Sequence, residues 1–199
     1  MKLIVISAPQ TIENEISIIE ELIEKGLEYY HLRKPDWTIN QTREFIGSLS
    51  EESRKKLIIH DYYELFDEFR ICGCHRNKRN INNSFGNNFS VSCHKITELS
   101  EWNNLIEGYM FLSPIYDSIS KEGYTKNFDN RSLKNAFENG FINKNVIALG
   151  GVELKHIPEI FKYGFGGIAV LGAIWKNYNN DIDLLIKRFE DLKSEIEKY

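Results

Sequence analysis

Short apolar runs recur along the chain, separated by longer stretches in which apolar residues fall every three or four positions. The first kind predicts buried strands and the second predicts amphipathic helices. Residues 3–7 read as a first strand. A helix follows, with Thr11 as its N-cap, Glu13 and Glu15 in its first turn, and Ile16, Ile19, Leu22 and Ile23 as its buried stripe. Gly26 stops it, and residues 29–33 form a second strand that ends at Lys34-Pro35. The pattern then repeats: helix 38–56, strand 57–61, short helix 63–69, strand 71–75, strand 89–93, helix 96–102, and strand 109–113 ended by Pro114. Helix 132–139, strand 146–149 ended by Gly150-Gly151, helix 154–163 and strand 167–171 come next. A terminal helix over 182–198 carries Leu184, Leu185, Phe189, Leu192 and Ile196 at helical spacing.

Strands alternating with helices imply a parallel sheet. Eight such strands close into an α/β fold of the (β/α)8 TIM-barrel type, here one domain over residues 1–199 near the lower size limit for that architecture. The rival is an open doubly wound sheet; the even spacing and the lack of a composition shift favour the barrel. Two stretches break the rhythm: an asparagine-rich one over 77–88 that includes Lys78 and Arg79, and a Ser/Lys/Gly/Asp-containing one over 117–130 directly after the sixth strand. Long loops of the latter kind commonly carry function.

Composition narrows the function classes. At 42% hydrophobic residues the chain can bury a sizeable core, and no apolar run approaches the roughly 18 residues of a membrane span. The first strand is too short for a signal peptide and suits a cytoplasmic protein. A net charge of −4 weighs against a nucleic-acid partner. The three cysteines read as buried free thiols. Cys72-Gly73-Cys74-His75 resembles a metal box but lacks a second cysteine pair at zinc-site spacing.

Barrel active sites lie where strands end. The predicted ends present His31 and Arg33, His60 and Asp61, His75, then Ser92 and His94. Ser118, Ser120 and Lys121 follow the sixth strand, Gly150 and Gly151 the seventh, and Leu171 and Gly172 the eighth. Four of the five histidines fall at this rim, which points to a polar site. They define no zinc site, since neither HxH nor HExxH occurs, and metal hydrolase is an alternative reading only. The glycines after strands seven and eight occupy the two loops that build the common barrel phosphate site, where a missing Cβ lets backbone N–H groups approach an anion. Arg33 and Lys121 are suited to a second anionic group, and Asp61 to a hard cation such as Mg2+.

These residues carry a resemblance. Tyr30-His31-Leu32-Arg33, Ile59-His60-Asp61, Gly73-Cys74-His75, Ser92-Cys93-His94, the run Ser113 to Lys121, Ala148-Leu149-Gly150-Gly151 and Gly167-Ile168-Ala169-Val170 together resemble the thiamine phosphate synthase superfamily, which also contains the TenI-like thiazole tautomerases. The resemblance implies a (β/α)8 barrel that joins an aminopyrimidine diphosphate to a thiazole phosphate, giving thiamine phosphate and diphosphate. It implies Arg33 and Lys121 on the diphosphate with Ser92 nearby, Asp61 on Mg2+, Ser118 and Ser120 as hydroxyls of the sixth loop, and Gly151, Leu171 and Gly172 on the thiazole phosphate. There are departures. Synthases usually have Gln where His31 stands, Asn where His60 stands, a Lys at the place of Pro35 and a second magnesium Asp at the place of Asn80. The tautomerase branch needs neither metal nor diphosphate and would use His94 as acid and base. A non-catalytic binder of thiazole or thiamine phosphates is the remaining alternative. The implied partners are small phosphorylated pyrimidine and thiazole substrates, with a homodimer left open.

Overall fold

The computed structural model describes residues 1–77, 88–103, 105–117 and 127–199. Eight strands close a barrel in sequence order: β1 (Lys2–Ile6), β2 (Tyr29–Leu32), β3 (Leu57–Ile59), β4 (Gly73–Arg76), β5 (Asn88–Cys93), β6 (Tyr109–Leu112), β7 (Val146–Leu149) and β8 (Gly167–Val170). Every neighbouring pair is parallel, including β1 with β8. Outside lie α1 (Glu15–Glu24), α2 (Ile39–Ser48), α3 (Glu51–Arg54), α4 (Leu65–Phe69), α5 (Ile96–Trp102), α6 (Asn130–Glu138), α7 (Ile157–Lys162), α8 (Gly172–Trp175) and α9 (Ile182–Ile196). No helix among the described residues is long and apolar enough to cross a membrane.

Strand alternation builds two cores. Leu3, Val5, Tyr30, Leu32, Leu57, Ile59, Val91, Met110 and Leu112 point outward and pack under the helices, with Ile18, Ile19 and Leu22 from α1 and Leu185, Phe189 and Leu192 from α9. The inner face is a separate cluster of Ile4, Ile6, Tyr109, Phe111, Ile147 and Ala169, with Tyr29, Phe89, Leu149 and Leu171 against it. That split is what period-two patterning imposes on a closed sheet.

Several predicted boundaries move, each for a local reason. Thr11 is not the cap of α1. Asn14, in a left-handed conformation at φ 58°, precedes the helix, and the Thr11 hydroxyl instead accepts from Trp37 Nε1 at 3.1 Å. The predicted helix 38–56 is two helices. Leu49 turns extended and Ser50 caps α3, its hydroxyl accepting from the Ser53 N–H at 3.2 Å. The segment 154–163 begins as a 3-10 turn, Leu154–His156, before α7. α8 was not predicted, because four residues are too few for a periodic signal.

A buried ion pair fastens β2 to α1. Lys34 Nζ lies 2.5 Å from Glu15 Oε2, both side chains almost fully buried, and donates also to the Gln10 carbonyl at 2.7 Å. The Tyr30 hydroxyl donates to Glu15 Oε1 at 2.7 Å. Burial pushes the Glu15 carboxyl up and the Lys34 amine down, so desolvation outweighs the mutual attraction at both groups.

Candidate active site

Ser7, at the end of β1, organises the end of β2. The Arg33 N–H donates to Ser7 Oγ at 2.8 Å, the Ser7 hydroxyl donates to the Arg33 carbonyl at 3.0 Å, and the Ser7 N–H donates to the His31 carbonyl at 2.9 Å. This clamp fixes the backbone from which the half-buried Arg33 side chain extends. On β3, the half-buried Asp61 follows His60 directly. Arg33 and Asp61 thus stand at the C-terminal ends of adjacent strands, as predicted.

The histidines are distributed differently from the prediction. His31 and His75 sit inside β2 and β4, not beyond them, and with His60 they are buried. Strand alternation places them in the barrel interior: His31 is in register with Ile6 on one side and Ile58 on the other. His31 Nδ1 lies 2.9 Å from His60 Nε2, and His31 Nε2 meets the Tyr109 hydroxyl. The rings of His60 and His75 stack, 4.2 Å between centroids. His75 is held by two hydroxyls, Ser90 Oγ on Nδ1 and Ser92 Oγ on Nε2, each at 2.8 Å. Burial drives the His31 imidazole well below its ordinary value, with His75 adding to the shift. Burial and then the Arg33 charge lower His75 to about 3. Ligand nitrogens of His31, His60 and His75 lie within 4.8 Å of one another, a grouping that could hold a metal ion.

His94, at the end of β5, is oriented by the Ser113 carbonyl, 3.0 Å from its Nδ1, while its backbone N–H donates to Glu98 Oε2 at 2.6 Å. A carbonyl only accepts, so the Nδ1 facing it carries the proton. Ser92, assigned above as a ligand contact, is engaged with His75.

Gly150 and Gly151 follow β7, and Leu171 and Gly172 connect β8 to α8, so the two glycine loops are neighbours across the β7–β8 pair. Gly151 has φ +65°, and a Cβ there would meet the Asp117 carbonyl at 2.2 Å and Tyr116 C at 2.7 Å. This glycine is therefore needed first for the close approach of the loop after β6. Gly151→Ala should cost about 2–4 kcal/mol, or roughly 5–10 °C in Tm. Gly140→Ala, at φ +75° with nothing within 4 Å of the added methyl, isolates the backbone part of that loss. Equal Tm losses for the two variants would remove the packing role.

Among the sequence-predicted residues, Ser118, Ser120 and Lys121 lie outside the described residues, as does Asn80. The cysteines are free thiols as expected, Cys74 and Cys93 buried and Cys72 partly so. Burial raises Cys72 to about 11 and the other two to about 12, which leaves them protonated and inert. Tyr109 and Ser90 were missed as site residues. The signal was present in alternation along β5 and β6, which puts Ser90 and Ser92, Tyr109 and Phe111 on one face, but the register that joins that face to His31 and His75 is not written in either strand alone.

The profile of the thiamine monophosphate synthase family matches residues 3–174. This chain belongs to that family. Thiamine-phosphate synthase of Proteus mirabilis is 25% identical over 173 residues, covering 82% of this chain and 80% of the relative, and that of Photorhabdus laumondii is equally similar. A crystal structure of thiamine phosphate pyrophosphorylase from Bacteroides thetaiotaomicron superposes with a TM-score of 0.87 at 30% identity, over 99% of this chain and 98% of that one. A Pyrococcus furiosus thiamine phosphate pyrophosphorylase, at 18% identity and a TM-score of 0.73, shares the fold. Family membership agrees with the barrel and with the motif order read from the sequence.

Proposed function

We propose that this member of the thiamine monophosphate synthase family is a transferase that joins an aminopyrimidine diphosphate to a thiazole phosphate. The carrying observation is the match to a named thiamine phosphate pyrophosphorylase over 99% of the chain at 30% identity. In this reading the bond between the pyrimidine methylene carbon and the diphosphate oxygen breaks, and its electron pair leaves with the diphosphate. The thiazole nitrogen lone pair then forms the new C–N bond. The protein's work is to stabilise the departing charge and hold the two reactants in line.

Arg33, on the backbone clamped by Ser7, is assigned to the diphosphate together with Lys121. Asp61 supplies a hard oxygen donor beside it, which fits Mg2+ when substrate phosphates complete the shell, whereas the nitrogen-only histidine group does not suit that ion. Such an ion, when bound, neutralises diphosphate oxygens. Ser118 and Ser120 are assigned to the same substrate, with Ser92 reaching it through the His75 network. The loops at Gly151 and at Leu171-Gly172 are assigned to the thiazole phosphate. His94 presents Nε2 as a base, but the relatives' names do not favour the tautomerase reading.

The test is a product assay with both substrates, with Mg2+ and with EDTA. Thiamine phosphate formed with Mg2+ and lost in EDTA is the expected result; no product under either condition would sink the reading. Arg33→Ala should lower kcat/KM by about 10- to 100-fold, the worth of a charge-assisted contact. An unchanged rate would remove Arg33 from the diphosphate site.

A further inference from the structure

His156 is the fifth histidine, the one that no strand end presents. It closes the 3-10 turn Leu154–His156, and its half-buried ring folds back along the chain. The Glu153 N–H donates to His156 Nδ1 at 3.1 Å, a capping role that Glu or Gln more often fills. The Gly151 backbone also bonds the ring and raises the imidazole, the mark of a carbonyl that accepts from it. Burial and then the Lys155 charge outweigh that effect and lower His156 from its ordinary value, so the ring is neutral at pH 7. With Nδ1 accepting, the single ring proton sits on Nε2 and is the one the Gly151 carbonyl receives.

The ring is braced from the side. It lies flat on Tyr116, with 3.8 Å between centroids and 10° between planes. Tyr116 is itself pinned at both ends: its N–H donates to the Gly150 carbonyl at 3.0 Å, and its hydroxyl donates to Glu159 Oε2 at 2.9 Å. Glu159 Oε1 is held in turn by the Tyr163 hydroxyl and Asn130 Nδ2. Two successive peptide planes after β7 are thereby fixed, that of the Gly150 carbonyl by the Tyr116 N–H and that of the Gly151 carbonyl by His156. In a planar trans peptide the N–H points opposite to the C=O, so these bonds also set the directions of the Gly151 and Val152 N–H groups. Successive backbone N–H groups in such a turn are what grips a phosphate.

We infer that His156 is a positioning residue which, through the Gly151 carbonyl and braced by Tyr116, holds the glycine loop after β7 in the conformation that binds the substrate's phosphate. The inference rests on the proposed assignment of that loop to the thiazole phosphate.

The test compares His156 variants of the full chain by titration calorimetry, with thiazole phosphate and with inorganic phosphate, and by steady-state turnover. His156→Phe keeps a flat ring for Tyr116 and removes both hydrogen bonds. It should weaken thiazole phosphate binding about 3- to 10-fold and raise the KM for that substrate by as much, while kcat and the KM of the aminopyrimidine diphosphate stay within about twofold of the parent. His156→Ala, which loses the stack as well, should be at least as impaired. His156→Gln should restore binding to within about twofold, since its amide can accept from the Glu153 N–H and donate to the Gly151 carbonyl. A long-range 15N–1H spectrum of the ligand-free parent should show His156 protonated at Nε2 and bare at Nδ1. Four results would each overturn the inference: unchanged phosphate affinity in His156→Phe, a fall in kcat with both KM values unmoved, a protonated Nδ1, or no binding of either phosphate by the parent. If the parent binds thiazole phosphate, His156→Phe weakens that binding, and no thiamine phosphate forms, the synthase reading falls and this inference stands.

Discussion

Lowering the pH from 7 to 4.5 should remove about 3 kcal/mol of folding free energy through His75 alone, and His31 adds to the loss in the same direction. Both imidazoles have folded values depressed from 6.5, His75 to about 3 and His31 well below its ordinary value. A depressed folded value means the unfolded chain takes up protons that the folded one refuses. Stability is therefore fully present above 6.5 and falls as the pH drops, at about 1.4 kcal/mol per unit for each ring until its folded value is reached. Urea unfolding at a series of pH values reads this directly. His75→Gln removes one of the two titrating groups and should lower the slope by about 1.4 kcal/mol per pH unit. A slope identical in His75→Gln and the parent would show that the interior rings do not set it.

Breaking the Lys34–Glu15 pair should produce the largest loss from one substitution. Lys34→Met leaves a buried carboxylate whose remaining partners are the Tyr30 hydroxyl and the Ile12 backbone N–H, with no cation beside it, and an uncompensated charge of that kind costs about 3–5 kcal/mol. Burial already raises the Glu15 value, and removing the cation raises it further. A raised carboxyl favours the folded state below its unfolded value and loses that contribution as the pH climbs through the folded value. Lys34→Met should accordingly lose more stability at pH 8 than at pH 5. Adding Glu15→Gln should recover part of the loss, since the amide still accepts from Tyr30 and no charge is left buried. A Lys34→Met loss below 1 kcal/mol, independent of pH, would show the pair to be solvated in solution.

The barrel was legible in the sequence because each strand is a short apolar run and each gap is long enough for a crossover. Arg33 and Asp61 were legible because they close the predicted strand segments 29–33 and 57–61, and strand ends are where this architecture gathers polar groups. The break at Leu49–Ser50 was not, because apolar spacing continues across it; only the Ser50 cap of α3 marks it. Nor was the depth of the histidines. His31, His60 and His75 looked like rim residues one strand at a time. Whether a strand's last polar residue lies at the mouth or one layer inside depends on the stagger between neighbours, and β4 slips against β5 between Cys74 and His75. The Lys34–Glu15 pair joins residues 19 apart, a separation that no local pattern encodes.

The pairing of β1 with β8 bears on how the barrel is made. Leu3 and Val5 find their partners at Ile168 and Val170. On a ribosome adding about 5–20 residues per second, the first strand waits roughly 10–30 seconds before its second neighbour exists. During that interval β1 can pair only with β2, and its other edge is a row of open backbone groups flanked by apolar side chains, the kind of surface that templates association between nascent chains. The same closure that leaves the finished sheet without an edge makes its first strand the last to be protected.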